Sequence, residues 1–157
     1  MKLFKIILLC FLVALPMTGC QGRFNPQENY DTVVRPQNID QIKADLLKAH
    51  NEMRENRNQG QLEHSQILDD YAQKWAEDMA ARNRMSHGNF SDRVQWEGNT
   101  KGENVAYGYG TVDAVMNGWM NSTGHRHNIL NSSFKYVGFG VALSSNGTIY
   151  WCADFGG

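Results

Sequence analysis

The stretch Tyr136-Val-Gly-Phe-Gly-Val-Ala-Leu143, Ser144-Ser-Asn-Gly147, Thr148-Ile-Tyr-Trp-Cys-Ala-Asp-Phe155 decides the fold class. Two runs rich in valine, isoleucine and aromatic residues flank a Ser-Ser-Asn-Gly segment, which is the chemistry of an antiparallel β-hairpin. Gly138 and Gly140 interrupt the first run and leave room for another backbone or side chain to approach closely. Upstream the period changes. Ser65 is placed to cap a helix in which Ile67/Leu68, Tyr71/Ala72, Trp75/Ala76 and Met79/Ala80 recur every four residues as one broad apolar stripe. Asp40 is placed to cap an earlier helix with apolar positions Ile42, Leu46, Leu47 and Met53, which the polar stretch from Glu55 to Gly60 ends. Thr111 precedes a third, with Val112, Val115, Met116, Trp119 and Met120 on one face and Gly118 weakening it. A shorter strand runs from Glu103 to Tyr107. Helices first and a hairpin last imply an α+β domain in which helices cover a mostly antiparallel sheet.

The remaining chain reads as an address. Lys2 and Lys5 precede an apolar run, Ile6 to Leu15, too short to span a bilayer as a mature helix, so residues 1–19 read as a secretory signal. Met17-Thr-Gly-Cys20 resembles the bacterial lipobox, where cleavage precedes the cysteine and its thiol takes an acyl chain such as palmitate. Residues 20–38 are polar, with Pro26 and Pro36, and read as a tether; the alternative is an arm packed on the domain through Val33 and Val34. The folded domain is then 39–157. With Cys10 in the signal and Cys20 acylated, Cys152 is left alone, so no internal disulfide forms and Cys152 reads as a small buried hydrophobe.

The formal charge of -1 across 157 residues, from 15 Lys+Arg and 16 Asp+Glu, supplies no phosphate-neutralising surface, which argues against nucleic acid as a partner. None of the five histidines shows the spacing of a self-evident zinc motif. Three chemistry-bearing residues nevertheless stand at element ends, where sites are built: His87 in Ser86-His-Gly-Asn89, Glu103 between Gly102 and Asn104, and His125 after Gly124. Four N-x-S/T sequons, at Asn89, Asn121, Asn131 and Asn146, are chance matches in a bacterial chain.

Several motifs occur in a telling order: Ser86-His87, Gly102-Glu-Asn-Val-Ala-Tyr107, Gly118-Trp-Met-Asn-Ser122 and Gly124-His-Arg-His-Asn-Ile-Leu130. With His50-Asn51 and Arg54 before them and Val137 to Val141, Tyr150-Trp151 and Asp154-Phe-Gly156 after them, the chain from about Asp40 onward resembles the CAP superfamily. That superfamily comprises the cysteine-rich secretory, antigen 5 and pathogenesis-related 1 proteins, and the likeness is to its bacterial SCP-like branch. The resemblance implies a three-layer α-β-α sandwich with an open cleft where His87, Glu103 and His125 converge. Two imidazoles and a carboxylate suit a divalent cation such as zinc, and the same trio suits acid-base chemistry without metal. Asn104, Asn121, Ser122 and Arg126 are expected along the cleft. Asn121 and Ser122 stand where plant and animal members carry a second Glu, which weakens any paired-acid hydrolysis. If Ser122 caps a short helix, His127 faces away from His125 and lies at the surface. Trp75, Trp119 and Trp151 read as core.

The expected function is a lipid-anchored, extracytoplasmic binding module, joined to a membrane through Cys20, whose cleft takes a divalent cation and a small-molecule, lipid or protein ligand. A metal- or His-assisted hydrolase, with His125 as base, Glu103 orienting it and His87 as ligand or acid, is the second reading. A surface protein whose polar cluster only holds the fold together is the third.

Overall fold

The computed structural model describes residues 33–157; the signal, Cys20 and most of the tether lie outside the described residues. A 3-10 turn at Pro36–Asn38 leads into α1 (Ile39–Glu55), followed by β1 (Glu63–His64), α2 (Gln66–Ala81), α3 (Phe90–Arg93), β2 (Lys101–Tyr107), α4 (Val112–Asn121), α5 (Thr123–Leu130), β3 (Tyr136–Leu143) and β4 (Ile149–Gly156). Sheet order is β1-β3-β4-β2. The hairpin β3–β4 and the pair β2–β4 are antiparallel, whereas the short β1 runs parallel to β3, so the sheet is mixed. Among the described residues no helix is long and apolar enough to cross a membrane.

Alternation along β4 assigns the layers. Ile149, Trp151, Ala153 and Phe155 face the core shared with α1, α4 and α5, including Ile42, Leu46, Val115 and Trp119. Tyr150 and Cys152 face α2, against Ala72, Ala76 and Met79. The result is the α-β-α sandwich that the motifs imply. Trp119 and Trp151 are core residues, whereas Trp75 is half-buried.

Close approach between α2 and β3 is what the glycines provide. A β carbon on Gly138 would overlap the Asp69 amide, and one on Gly140 the Ala72 carbonyl. With backbone laid against backbone, the helix contributes mostly alanine at the contact. The buried stripe is therefore Leu68, Ala72, Ala76, Met79 and Ala80, and Ile67, expected within it, is exposed. Side chains then fasten the layers: Asp69 accepts the Phe139 amide at 2.6 Å and pairs with Lys43 at 3.1 Å.

Capping follows the sequence in two helices of three. Ser65 Oγ accepts the Leu68 amide at 3.4 Å and Thr111 Oγ1 the Ala114 amide at 3.2 Å. In α1 the N-cap is Asn38 and not Asp40, because the preceding 3-10 turn feeds directly into the helix. Asp40 sits instead in the first turn, where a carboxylate complements the helix dipole. The arm before it is packed through one residue: Val34 is 3% exposed with its amide on the Gly110 carbonyl, while Val33 is exposed.

Two polar residues of α1 are buried among these layers. Arg54 donates to the carbonyls of Gly60, Ile129, Asn131 and Phe134, which ties the end of α5 to the start of the hairpin. His50 sits in the core between Trp119, Phe139 and Phe155.

Candidate functional site

The site forms at the outer edge of the sheet, along β2. Edge strands expose unpaired backbone groups, and here neighbouring side chains cover them: Asn128 Nδ2 donates to the Glu103 carbonyl at 3.0 Å and Trp119 Nε1 to the Val105 carbonyl at 3.4 Å. Loops therefore meet the edge from both sides. The segment after α2 brings His87, and the α4–α5 corner brings His125.

His87 is held by a loop laid on Trp75. The Trp75 indole donates to the Ser86 carbonyl at 2.9 Å, and Gly88, at φ +53, presses on the same ring so closely that a β carbon would overlap it. Thus glycine at position 88 is a geometric requirement, whereas Ser86 contributes only its backbone carbonyl. His87 Nδ1 then donates to Glu103 Oε1 at 2.8 Å; the histidine side chain is 59% exposed and the glutamate 2%. This bond fixes the tautomer and leaves Nε2 as the other ring nitrogen.

Behind Glu103 lies a charged cluster that the sequence did not disclose. Arg93, on α3, pairs with Glu103 Oε2 and approaches Asp154 at 3.5 Å, its guanidinium 4.5 Å from the Trp75 ring centre. Glu103 and Asp154 are register partners on β2 and β4, so their carboxylates emerge side by side, and Arg93 offsets their repulsion. Cys152 Sγ donates to Glu103 Oε2 at 3.3 Å. Burial pushes the Asp154 carboxyl up to about 6 and raises the Cys152 thiol well above its ordinary range. Cys152 is accordingly a protonated, buried hydrogen-bond donor, more polar in its contacts than a small hydrophobe but no nucleophile.

His125 lies in the first turn of α5, half-buried, and its pKa is lowered first by burial and then by the charge of His87. It lines a cavity of about 250 Å³ with Met85, Tyr107, Tyr109, Trp119 and Ser122. The other residues expected along the cleft distribute differently. Ser122 does line this cavity. Asn104 is fully buried and donates to the His125 carbonyl at 3.0 Å, so it positions α5 and does not face a ligand. Asn121 is exposed. Arg126 donates to the Met120 carbonyl at 2.8 Å, closing the end of α4, and borders a separate groove with Thr123 and His127. As expected from helical spacing, His127 is exposed.

Can these residues hold a cation? Among the described residues, the candidate ligand atoms of Glu103, Cys152 and Asp154 lie within 4.8 Å of one another. The Arg93 guanidinium already supplies the positive charge there, between Glu103 and Asp154, so that cluster is a poor metal cage. The two imidazoles fit better: burial favours neutral His125, and the carboxylate behind His87 is the orienting partner that metal-bound histidines commonly have. Glu103 is engaged through both oxygens, Oε1 by His87 and Oε2 by Arg93 and Cys152.

Motif order singled out His87, Glu103 and His125 and gave no sign of Arg93, whose contacts with Glu103 and Asp154 join distant segments. Asp154 was visible within a motif, but its register opposite Glu103 is seen only in the pairing of β2 with β4. Comparison with known proteins bears on the same elements. The model for the cysteine-rich secretory protein family, CAP, matches residues 47–155. The uncharacterized protein YkwD of Bacillus subtilis is 31% identical over 146 residues, spanning 88% of this chain and 56% of that protein. The crystal structure of an extracellular SCP-domain protein from Bacillus anthracis superposes with a TM-score of 0.64 at 29% identity, covering 78% of this chain and 44% of that one. NaASP2, solved with Zn2+, shares the fold at 12% identity and a TM-score of 0.59, covering 74% of this chain and 80% of that one.

Proposed function

Because the chain belongs to the cysteine-rich secretory protein (CAP) family, we propose that it is an extracytoplasmic, lipid-anchored binding module whose cleft along β2 takes a divalent cation and an envelope or extracellular ligand. The observation that carries the reading is the 2.8 Å bond from His87 Nδ1 to Glu103, itself anchored by Arg93. It sets one imidazole in a fixed tautomer, near enough to His125 for its charge, after burial, to lower that histidine's pKa. His87 and His125 would hold the cation, and Glu103 would keep His87 oriented. A zinc ion there would supply a Lewis acid with coordination positions open to water or ligand. The zinc in NaASP2 is consistent with this assignment.

The binding reading outweighs the hydrolase reading on the acid groups. Paired-acid hydrolysis needs two carboxyl groups of separated pKa at the reacting centre. Glu103 is engaged by Arg93, its neighbour Asp154 is fully buried against the same guanidinium, and Asn121 and Ser122 supply no second acid. The extracytoplasmic location is supported by the signal-like N-terminus and by the extracellular relative from Bacillus anthracis. If Cys20 carries the anchor, Cys20→Ser releases the protein from the membrane fraction; a variant that stays there refutes the anchor.

Calorimetric titration of the chelator-stripped full chain with zinc tests the site. One equivalent is expected to bind, and the His87→Ala/His125→Ala variant, altered at one exposed and one half-buried position, is expected to stay folded and lose it. Retention of binding in that variant, or none in folded wild type, overturns the assignment.

A further inference from the structure

The same cavity carries information about what it binds. Among the described residues six large apolar side chains are exposed, and three of them, Met85, Tyr107 and Tyr109, line the cavity that contains His125. Such concentration is unlike scattered surface apolar residues and marks a binding surface. No formally charged residue lines it, whereas the neighbouring groove contains Arg126.

The aromatic wall is built in advance. Tyr107 stacks on Tyr150 with ring centres 6.0 Å apart and stays 56% exposed. The loop that follows is pinned at three points: the Gly108 amide donates to the Ile149 carbonyl at 2.9 Å, the Trp151 indole to the Tyr109 carbonyl at 3.0 Å, and the Val34 amide to the Gly110 carbonyl at 3.3 Å. Tyr109 lies across α4 at Gly118, where any β carbon would collide with its hydroxyl. Gly118, a weakness for the helix, is therefore the seat of a cavity wall. A wall fixed before binding loses little entropy on binding.

We propose that this cavity is a subsite for one ring of a neutral saccharide, a reading that rests on the cleft being a ligand site but not on the cation. Its size of about 250 Å³ is below the roughly 300–1,000 Å³ that encloses a drug-sized ligand, so it takes a single ring and not a long chain. A pyranose ring offers an apolar C–H face to an aromatic ring and hydroxyls around its rim. Tyr107, Tyr109, Ser122 and His125 bring hydrogen-bonding groups among those apolar faces. An acyl chain would leave these groups without partners, and in the cation-free protein a charged ligand would meet no counter-charge from the lining side chains.

Calorimetry on the full chain in lipid nanodiscs, stripped with chelator, provides the test, with the N-acetylglucosamine tetramer and cellotetraose as probes. Saturable binding of at least one tetramer is expected. Tyr107→Ala, at an exposed position, and Gly118→Ala, which displaces the Tyr109 hydroxyl, should each weaken it about tenfold or more, with Arg126→Ala unchanged. Failure of folded wild type to bind either tetramer overturns the proposal, as does unaltered affinity in both cavity variants. Saturable binding of decanol in place of the tetramers also overturns it, in favour of an acyl chain. Saccharide binding that persists when zinc binding fails sinks only the cation reading, and the reverse result sinks only this one.

Discussion

Gly140→Val is expected to abolish the native fold at ordinary temperature. The new β carbon would occupy the space of the Ala72 carbonyl oxygen, with the Gln73 amide beside it, and neither obstacle is a side chain that can rotate away. Relief requires lifting α2 off β3. That movement breaks the Asp69 bond to the Phe139 amide and both Gln73 bonds to Val141, and it exposes Ala72, Ala76 and Met79. Ordinary overpacking costs about 1–3 kcal/mol. A clash of backbone against backbone belongs with the exceptional losses above about 4–5 kcal/mol, comparable to the whole stability of a small domain. Gly60→Ala is the control, since nothing lies within 4 Å of that added carbon, and its change should stay within about 0.5 kcal/mol. Urea unfolding of both variants measures the effect. A Gly140→Val protein with the wild-type midpoint would contradict the packing of α2 on β3.

Acidification should cost stability through His50. Its Nδ1–H donates to the Leu46 carbonyl at 2.7 Å, and its ring lies 5.0 Å from that of Phe139. Burial is the main force lowering its pKa from 6.5 to about 4; the bond to Leu46 opposes this and the Arg54 charge adds to it. The unfolded chain therefore takes up a proton near pH 6.5 while the folded protein waits until about 4. The contribution of neutral His50 is complete above pH 6.5 and is lost as pH falls through that window, by about 3 kcal/mol in all. Asp154 acts in the opposite sense. Its folded pKa of about 6 lies above the ordinary 3.8, so it adds stability as pH falls from 6 to 3.8 and offsets much of the His50 effect in wild type. The difference between wild type and His50→Gln, both of which retain Asp154, isolates His50. That difference should shift against wild type by about 2–3 kcal/mol between pH 7 and 4.5 in urea unfolding. A constant difference would show that His50 is not held neutral in the core.

What was legible in the sequence was local, or repeated along one element. The hairpin, the Ser65 and Thr111 caps and the need for glycine at 138 and 140 each follow from a few consecutive residues. Features that join distant segments were opaque. Arg93 sits on a four-residue helix with no periodic signal, and its partners Glu103 and Asp154 lie on β2 and β4. The β1 strand, two residues long, is defined only by its pairing with β3. Ile67 was placed in the wrong part of the stripe because periodicity alone does not show how closely a helix approaches its sheet. The site was legible in intermediate degree. Motif order supplied His87, Glu103 and His125, but only three dimensions show that Glu103 is engaged from behind, that Asn104 positions α5, and that Tyr107 and Tyr109 flank His125.

That division of roles is the centre of the account: two histidines facing a ligand, with a glutamate that orients one of them. Diffraction from crystals of the zinc-loaded protein, recorded at the zinc absorption edge, tests it most directly. The account predicts one anomalous peak at about 2.0–2.1 Å from His87 Nε2 and from a ring nitrogen of His125, with Glu103 still bonded to His87 Nδ1. A peak among Glu103, Cys152 and Asp154 with Arg93 displaced, or no peak at the histidines, would contradict it.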